Sequence, residues 1–338
     1  MAAITQYLFQ KNLKYAKKGV IIGWIAGMLW GLGGVIIAMA MVQAPFTEYE
    51  HLSVYIVPLV GCCITDLIAS VIIIGINIYK GKGKEYLRAL KTKPGKIIIL
   101  ASIFGGPVAM SGYYLGMYLS GTFYGLAITA TYPALGAILC RIFLKEKMTI
   151  FTKIGIVLCV LGAIVVTFVA PDGAEYPYFV LGIIMCLMGC LGWGLEGVIC
   201  AYGMELIDPD IAIGLRYITS FLVYLFGVVP FVAGFGTAGY SLFIDVFTTN
   251  PGTLLIVLIA GIVMAISYYW YYEAINMAGA SRTMALMIMY ALWGVIFGWV
   301  FAGSVSVTAN IVLGTIIIFV GAVFVTGKPS ELFKLRDN

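Results

Sequence analysis

Ten apolar runs, each about 20 residues or longer, restrict what this 338-residue chain can become. A run of that length crosses the hydrocarbon core of a bilayer as a helix. Lipid offers no partner to an unpaired backbone N–H or C=O, so helices are expected for all ten. The runs are Gly19–Val42, Leu52–Tyr79, Ile97–Leu119, Thr122–Phe143, Ile150–Ala170, Tyr178–Met204, Pro209–Gly234, Gly252–Ala278, Ser281–Gly303 and Ser306–Gly327. Hydrophobic residues make up 62% of the chain and charged ones only 10%, too little charge to cover a water-soluble surface. The expected class is an all-α membrane protein with ten transmembrane helices and the lipid bilayer as its first partner.

Charge placement orients the bundle. Lys11, Lys14, Lys17 and Lys18 precede the first run, and Lys80, Lys82, Lys84, Arg88, Lys91, Lys93 and Lys96 join the second to the third. Arg141, Lys145, Lys147, Lys153, Arg282, Lys328, Lys334 and Arg336 fall on the same side of a ten-span chain. The opposite loops hold Glu48, Glu50, Asp172, Glu175 and Asp245 and no basic residue. The positive-inside rule then puts both termini in the cytoplasm. The acidic loop Glu205–Asp210 also falls inside, where acids count little. The net charge of +5 therefore reports topology and not nucleic-acid binding. Residues 1–18 read as an interfacial helix or a solvated tail, and 328–338 as a cytoplasmic tail. The first run is too long for a signal-peptide core and is expected to be retained.

An internal repeat sharpens the expectation. Trp30–Ile36 reads WGLGGVI and Trp193–Ile199 reads WGLEGVI. Ser111, Tyr113, Tyr114 and Gly121 recur as Ser267, Tyr269, Trp270 and Gly279, and Thr131–Leu135 recurs as Met289–Trp293. Gly155 and Gly162 recur as Gly314 and Gly321. Residues 19–170 and 178–327 thus read as two five-helix repeats. Five is odd, so consecutive repeats cross the membrane in opposite senses, the inverted plan of secondary transporters. Pro133 is expected to kink the fourth span. The ninth has Ala291 there, which predicts an asymmetry between the halves.

Four charges sit well inside spans: Asp66, Glu196, Arg216 and Glu273. Each costs at least ~2.5–3.5 kcal/mol to insert, so each should meet a cavity or a partner. Glu196 and Arg216 lie at similar depth on either side of the Asp208-Pro209 turn. Two compatible readings stand: an ion pair, or a carboxylate facing a cationic substrate. Asp66 reads as a proton-coupling or packing residue, and Glu273 as a group near water at a helix end. Trp30, Tyr132, Trp193, Tyr290 and Trp293 are too deep for the aromatic belt, where Trp24, Trp299 and Tyr79 belong. Aromatic faces around a carboxylate suit a quaternary ammonium, which donates no hydrogen bond and is held by cation–π contact. Ordinary core packing accounts for any single ring equally well.

No Ser/His/Asp set, phosphate loop, metal-ligand cluster or cofactor motif is visible, and His51 stands alone. The chain reads as a non-enzyme with no cofactor and no metal. Its seven cysteines fall within apolar runs and read as reduced thiols.

Tyr132-Pro133 followed by Leu144-Lys145-Glu146-Lys147 resembles the fourth-span pattern of the EamA-type members of the drug/metabolite transporter superfamily. The second half lacks that charged end. Trp30–Gly33, Gly106-Pro107, Tyr132–Ala134, Trp193-Gly194 with Glu196, Arg216 with Thr219–Leu222, Ser267-Tyr268, Tyr271-Tyr272, Ala274–Asn276, Tyr290 and Trp293 are similar to the LicB-type bacterial choline transporters. Glu273 departs from that pattern. The resemblance implies a ten-helix inverted-repeat fold, choline uptake through an aromatic cavity, and coupling to the proton gradient. The expected substrate-binding set is Trp30, Tyr132, Trp193, Glu196, Tyr269, Tyr290 and Trp293, with Asp66, Arg216 and Glu273 as coupling or structural charges. The rival readings are an exporter of amino acids or aromatic metabolites on the same fold, and a channel or non-transporting scaffold.

Overall fold

Helices begin where the sequence supplies caps. Thr92 accepts a hydrogen bond from Gly95 N at 3.2 Å, with Pro94 in the first turn. Asp208 accepts from Asp210 N at 2.9 Å ahead of Pro209. Asn250 accepts from Gly252 N and Thr253 N, both at 3.1 Å, ahead of Pro251. Each cap satisfies amides that the helix leaves unpaired, and a first-turn proline has no amide to lose.

The computed structural model describes residues 2–143, 149–168, 175–231, 237–302 and 308–325, without the side chains of 2–13, 140, 143, 281, 282 and 302. The helices are α1 (Ala2–Met41), α2 (Ile56–Tyr79), α3 (Lys93–Ser120), α4 (Thr122–Thr129), α5 (Tyr132–Phe143) and α6 (Ile150–Thr167). The second half contains α7 (Phe179–Gly203), α8 (Pro209–Phe231), α9 (Pro251–Ala278), α10 (Ala280–Met287), α11 (Met289–Ala302) and α12 (Ala309–Val325). Shorter helices cover Phe46–Tyr49, Gly83–Leu90 and Ala238–Thr248.

Among the described residues nine stretches are long and apolar enough to cross a membrane, with α4–α5 and α10–α11 each forming one of them. The expected tenth span is represented by the 17 residues of α12, and its ends lie outside the described residues. The expected tail 328–338, the pattern Leu144–Lys147, Asp172 and the side chain of Arg282 also lie outside them. The basic N-terminal segment forms neither a separate helix nor a coil: α1 runs unbroken from Ala2 to Met41.

α1 packs on α9, α10 and α11, while α7 packs on α3, α4 and α5. α2 pairs with α8, and α6 with α12. Val71, Val157, Val180, Leu255 and Trp299 are exposed on the outside of the bundle, as a surface against lipid chains requires. Deep hydroxyls are satisfied locally: Ser102, Ser120 and Thr129 each donate to the carbonyl four residues earlier, at 2.6 Å.

Two turns have the same backbone. Gly121 joins α3 to α4 at φ 93°, ψ 142°, and Gly279 joins α9 to α10 at φ 89°, ψ 155°. L side chains rarely adopt this region, which explains glycine at both positions. The fourth span breaks at Ala130–Thr131, and Pro133 takes the first turn of α5, where its missing N–H costs little. The ninth span also breaks, at Ile288 between α10 and α11, with no proline nearby. The expected asymmetry is therefore corrected: both halves interrupt the helix at the same place, and proline is not the cause in the second. There Gly27 and Gly31 of α1 lie against the carbonyls of Met287 and Tyr290, so close backbone packing holds the interruption.

Candidate functional site

Both helix breaks face the same space. Trp30 of α1, Tyr132 of α5, Trp193 of α7, Tyr268 and Tyr271 of α9, Met287 of α10 and Tyr290 of α11 enclose a small central cavity. Ring centroids are 5.9 Å apart for Trp30–Trp193, 5.0 Å for Trp30–Tyr268, 5.8 Å for Tyr132–Trp193 and 6.3 Å for Trp193–Tyr290. Tyr113 of α3 packs on the same cluster, 5.2 Å from Trp193 and 5.9 Å from Trp30. The free space between the rings is about 10 Å³, roughly what one water needs. An organic cation of several heavy atoms enters only when the walls separate.

Hydroxyl groups tie the walls to the interrupted helices. Tyr132 Oη donates to the carbonyl of Met284 in α10 at 3.1 Å. Tyr290 Oη donates to Thr129 Oγ1 at the end of α4 at 2.7 Å. With their hydroxyls occupied, these tyrosines present rings to the cavity and no free donor. The Trp193 indole Nε1 is buried and has no hydrogen-bond partner among the described residues.

Behind Tyr268 lies the buried charge. Tyr268 Oη donates to Glu196 Oε2 at 2.6 Å, and Tyr272 Oη donates to Glu196 Oε1 at 2.9 Å. Arg216 Nε lies 3.5 Å from Glu196 Oε1. The same guanidinium donates to Asp66 Oδ1 at 3.2 Å and to the carbonyl of Gly105 at 3.0 Å. Ser220 Oγ donates to Asp66 Oδ2. Glu196, Asp66 and Arg216 are each at most 2% exposed. Arg216 also lies over the rings of Tyr217 and Tyr268, 4.6 Å from each centroid. Two carboxylates share one guanidinium, so the fully ionised cluster carries one excess negative charge. Gly105 permits this packing, because a Cβ there would meet the Glu196 carboxyl.

The structure brings Trp30, Tyr132, Trp193 and Tyr290 together at the cavity. Glu196 stands one tyrosine behind the wall. Tyr269 and Trp293 lie elsewhere. Tyr269 Oη accepts from Lys80 Nζ at 3.4 Å near the end of the bundle that carries the lysines. Trp293 packs edge-on against Trp24 at 5.6 Å and stacks on Phe297 at 5.5 Å. Glu273 is half-buried one turn beyond Tyr269. The places are taken by Tyr268 and Tyr271. With Tyr272 they sit at i, i+3 and i+4, the spacing that shares one helix face, and that spacing was the available signal. The six described cysteines are buried and unbridged.

Three comparisons bear on this arrangement. The EamA-like transporter family matches residues 17–168 and again 180–327. A curated relative, Protein LicB of Haemophilus influenzae, is 26% identical over 284 residues, covering 83% of this chain and 88% of its own. A crystal structure of a protein at 16% identity superposes with a TM-score of 0.62 over 91% of this chain and 97% of that one, a likeness of fold alone.

Proposed function

We propose that this chain, which belongs to the EamA-like transporter family, imports choline or a similar quaternary ammonium across a bacterial inner membrane by alternating access. The observation that carries the reading is the aromatic cavity backed by two buried carboxylates that share one arginine. Trp30, Tyr132, Trp193, Tyr268, Tyr271 and Tyr290 supply ring faces, each worth ~0.5–2 kcal/mol to a desolvated cation. The cluster behind Tyr268 adds attraction that no neutral solute feels. With Asp66 and Glu196 both ionised, one unit of excess charge contributes on the order of 1–4 kcal/mol at an effective dielectric near 20, according to distance.

The transporter is built as two inverted five-helix repeats over residues 19–170 and 178–327, with both termini in the cytoplasm. Its helix pairings support this reading, since exchanging the halves turns α1–α9 into α7–α3 and leaves α2–α8 and α6–α12 unchanged. Paired helix interruptions at a shared cavity are what such transporters use to build a midplane site. One group (α1, α9, α10, α11) rocks against the other (α3, α4, α5, α7), and the rings separate to admit the cation. Inward movement of a cation gains about 2.3 kcal/mol per 100 mV of membrane potential. Asp66 and Glu196, served by one arginine, are the site for a coupling proton.

The test is substrate-evoked charge movement in proteoliposomes holding the purified protein. Choline gives a saturable response that Trp193→Ala abolishes, while carnitine, betaine and neutral amino acids give less. Silence towards every quaternary amine, with uptake of neutral solutes, overturns the substrate and favours an exporter-like metabolite carrier on the same fold.

A further inference from the structure

Away from the cavity, each end of the bundle carries a polar cluster closed by a tyrosine. At the basic end, Lys80 Nζ lies 3.3 Å from Asp210 Oδ2, and Lys82 Nζ lies 2.8 Å from Asp208 Oδ2 and 2.5 Å from Asp210 Oδ2. Asn77 Nδ2 donates to the carbonyl of Asp210 and to Tyr86 Oη, at 2.7 Å each. These contacts join the end of α2 and the loop leading into α3 to the α7–α8 turn and the first turn of α8, so the cluster is attached to the α3/α7 group through that loop and that turn. Tyr269 reaches them from α9, in the opposite group. Its hydroxyl is 3.4 Å from Lys80 Nζ, which also sits 5.5 Å from its ring centroid.

At the acidic end the pattern recurs with the halves exchanged. Tyr49 Oη donates to Asp245 Oδ2 at 2.5 Å, joining the α1–α2 loop to the α8–α9 loop, both continuous with the α1/α9 group. Tyr118 reaches this cluster from α3, in the other group, and donates to Glu50 Oε2 at 3.1 Å. Each tyrosine lies within the last three turns of its helix and reaches towards the other group; between them the groups meet at the aromatic cavity and along α4, whose Leu126 and Phe123 lie against Gly294 and Gly298 of α11. A carrier needs such closures: one must open while the other holds, or the cation leaks.

We propose that Tyr269 and Tyr118 close two opposed gates, Tyr269 sealing the basic end onto the Lys80–Asp210 pair and Tyr118 sealing the acidic end onto Glu50. The inference rests on the alternating-access reading. The two gates differ in chemistry. The inner one leans on an ion-pair cluster that salt screens, and the outer one on hydroxyl–carboxylate hydrogen bonds, so ionic strength at the basic face biases the carrier towards opening there. Losing one bridging hydrogen bond shifts the opened population by about three- to ten-fold.

The experiment measures how fast a membrane-impermeant thiol reagent labels Met287→Cys in the cavity, applied to each face of sealed vesicles, with the parent chain as background. Tyr269→Phe raises labelling from the lysine-bearing face by about three- to ten-fold and leaves the other face unchanged or slower. Tyr118→Phe does the reverse. Lys80→Gln and Glu50→Gln, at the partly exposed loop partners, reproduce the two patterns without touching the helices. Unchanged rates in all four variants, equal rises from both faces, or a rise from the wrong face overturn the gates. No substrate is needed, so a chain that ignores choline still gives an answer here, and failed gates leave the substrate reading standing.

Discussion

Tyr132 and Tyr290 exchange hydroxyls across the cavity: the first donates to the helix that precedes Tyr290, and the second to the helix that precedes Tyr132. Each ring is thereby pinned by the opposite half at its helix break. Tyr132→Phe and Tyr290→Phe keep the ring and lose the tether. Each is expected to cost about 1 kcal/mol of stability in a detergent melt. On the choline reading, affinity should change by no more than a few-fold. Tyr132→Ala removes the ring itself and should weaken binding at least about tenfold.

On the quaternary-ammonium reading, Glu196 meets the cavity through Tyr268, which donates to its carboxylate and lines the wall. Glu196→Gln removes one negative charge and keeps one oxygen acceptor, in place of the two that Tyr268 and Tyr272 use. On that reading the expected loss is about ten- to a hundred-fold in choline affinity by calorimetry, alongside about 1 kcal/mol of stability for the lost hydrogen bond. Wild-type affinity in this variant assigns Glu196 to packing with Arg216 instead.

Arg216 is the shared partner of two buried carboxylates, and its removal strands both. Arg216→Ala is expected to cost about 3–5 kcal/mol, read as loss of monodisperse protein after extraction. Arg216→Ala combined with Glu196→Gln and Asp66→Asn leaves no stranded charge and should recover much of that loss. If the triple variant is as unstable as the single one, the guanidinium matters for its contacts to Gly105 and the tyrosine rings rather than for charge.

The backbone at Gly121 and Gly279 predicts a matched pair of defects. Alanine at either position is strained by about 1–3 kcal/mol. Both variants should melt lower by a similar amount, whereas Gly75→Ala, where a Cβ meets no neighbouring atom, should not.

The ion cluster at the basic end sets an alkaline limit. Burial lowers the Lys82 ammonium, and the hydrogen bonds to Asp208 and Asp210 outweigh it, lifting the group from 10.5 to about 12. A folded value above the unfolded one stabilises fully below about pH 10.5 and is lost as pH rises through 12. Melting temperature should therefore fall over that window, and Lys82→Gln should flatten the fall.

Much of this architecture was legible in order along the chain. The apolar runs predicted the helices because a bilayer leaves the backbone no alternative, and the recurring Gly121/Gly279 and Trp30/Trp193 positions pointed to the halves. The deep polar residues were legible as needing partners, since lipid supplies none. Which partner each one takes was not legible. Asp66 has no charged neighbour in sequence and meets Arg216 only because α2 packs on α8. The aromatic run Tyr268–Tyr272 faces every direction around α9, so only the packing of that helix could put Tyr268 and Tyr271 at the cavity and Tyr269 at the lysines. The break at Ile288 carries no proline and lies where the glycines of α1 come close to the backbone, a contact that no local pattern announces. Local rules act over a few residues, whereas a helix's rotation about its axis is set by contacts with helices far away in sequence.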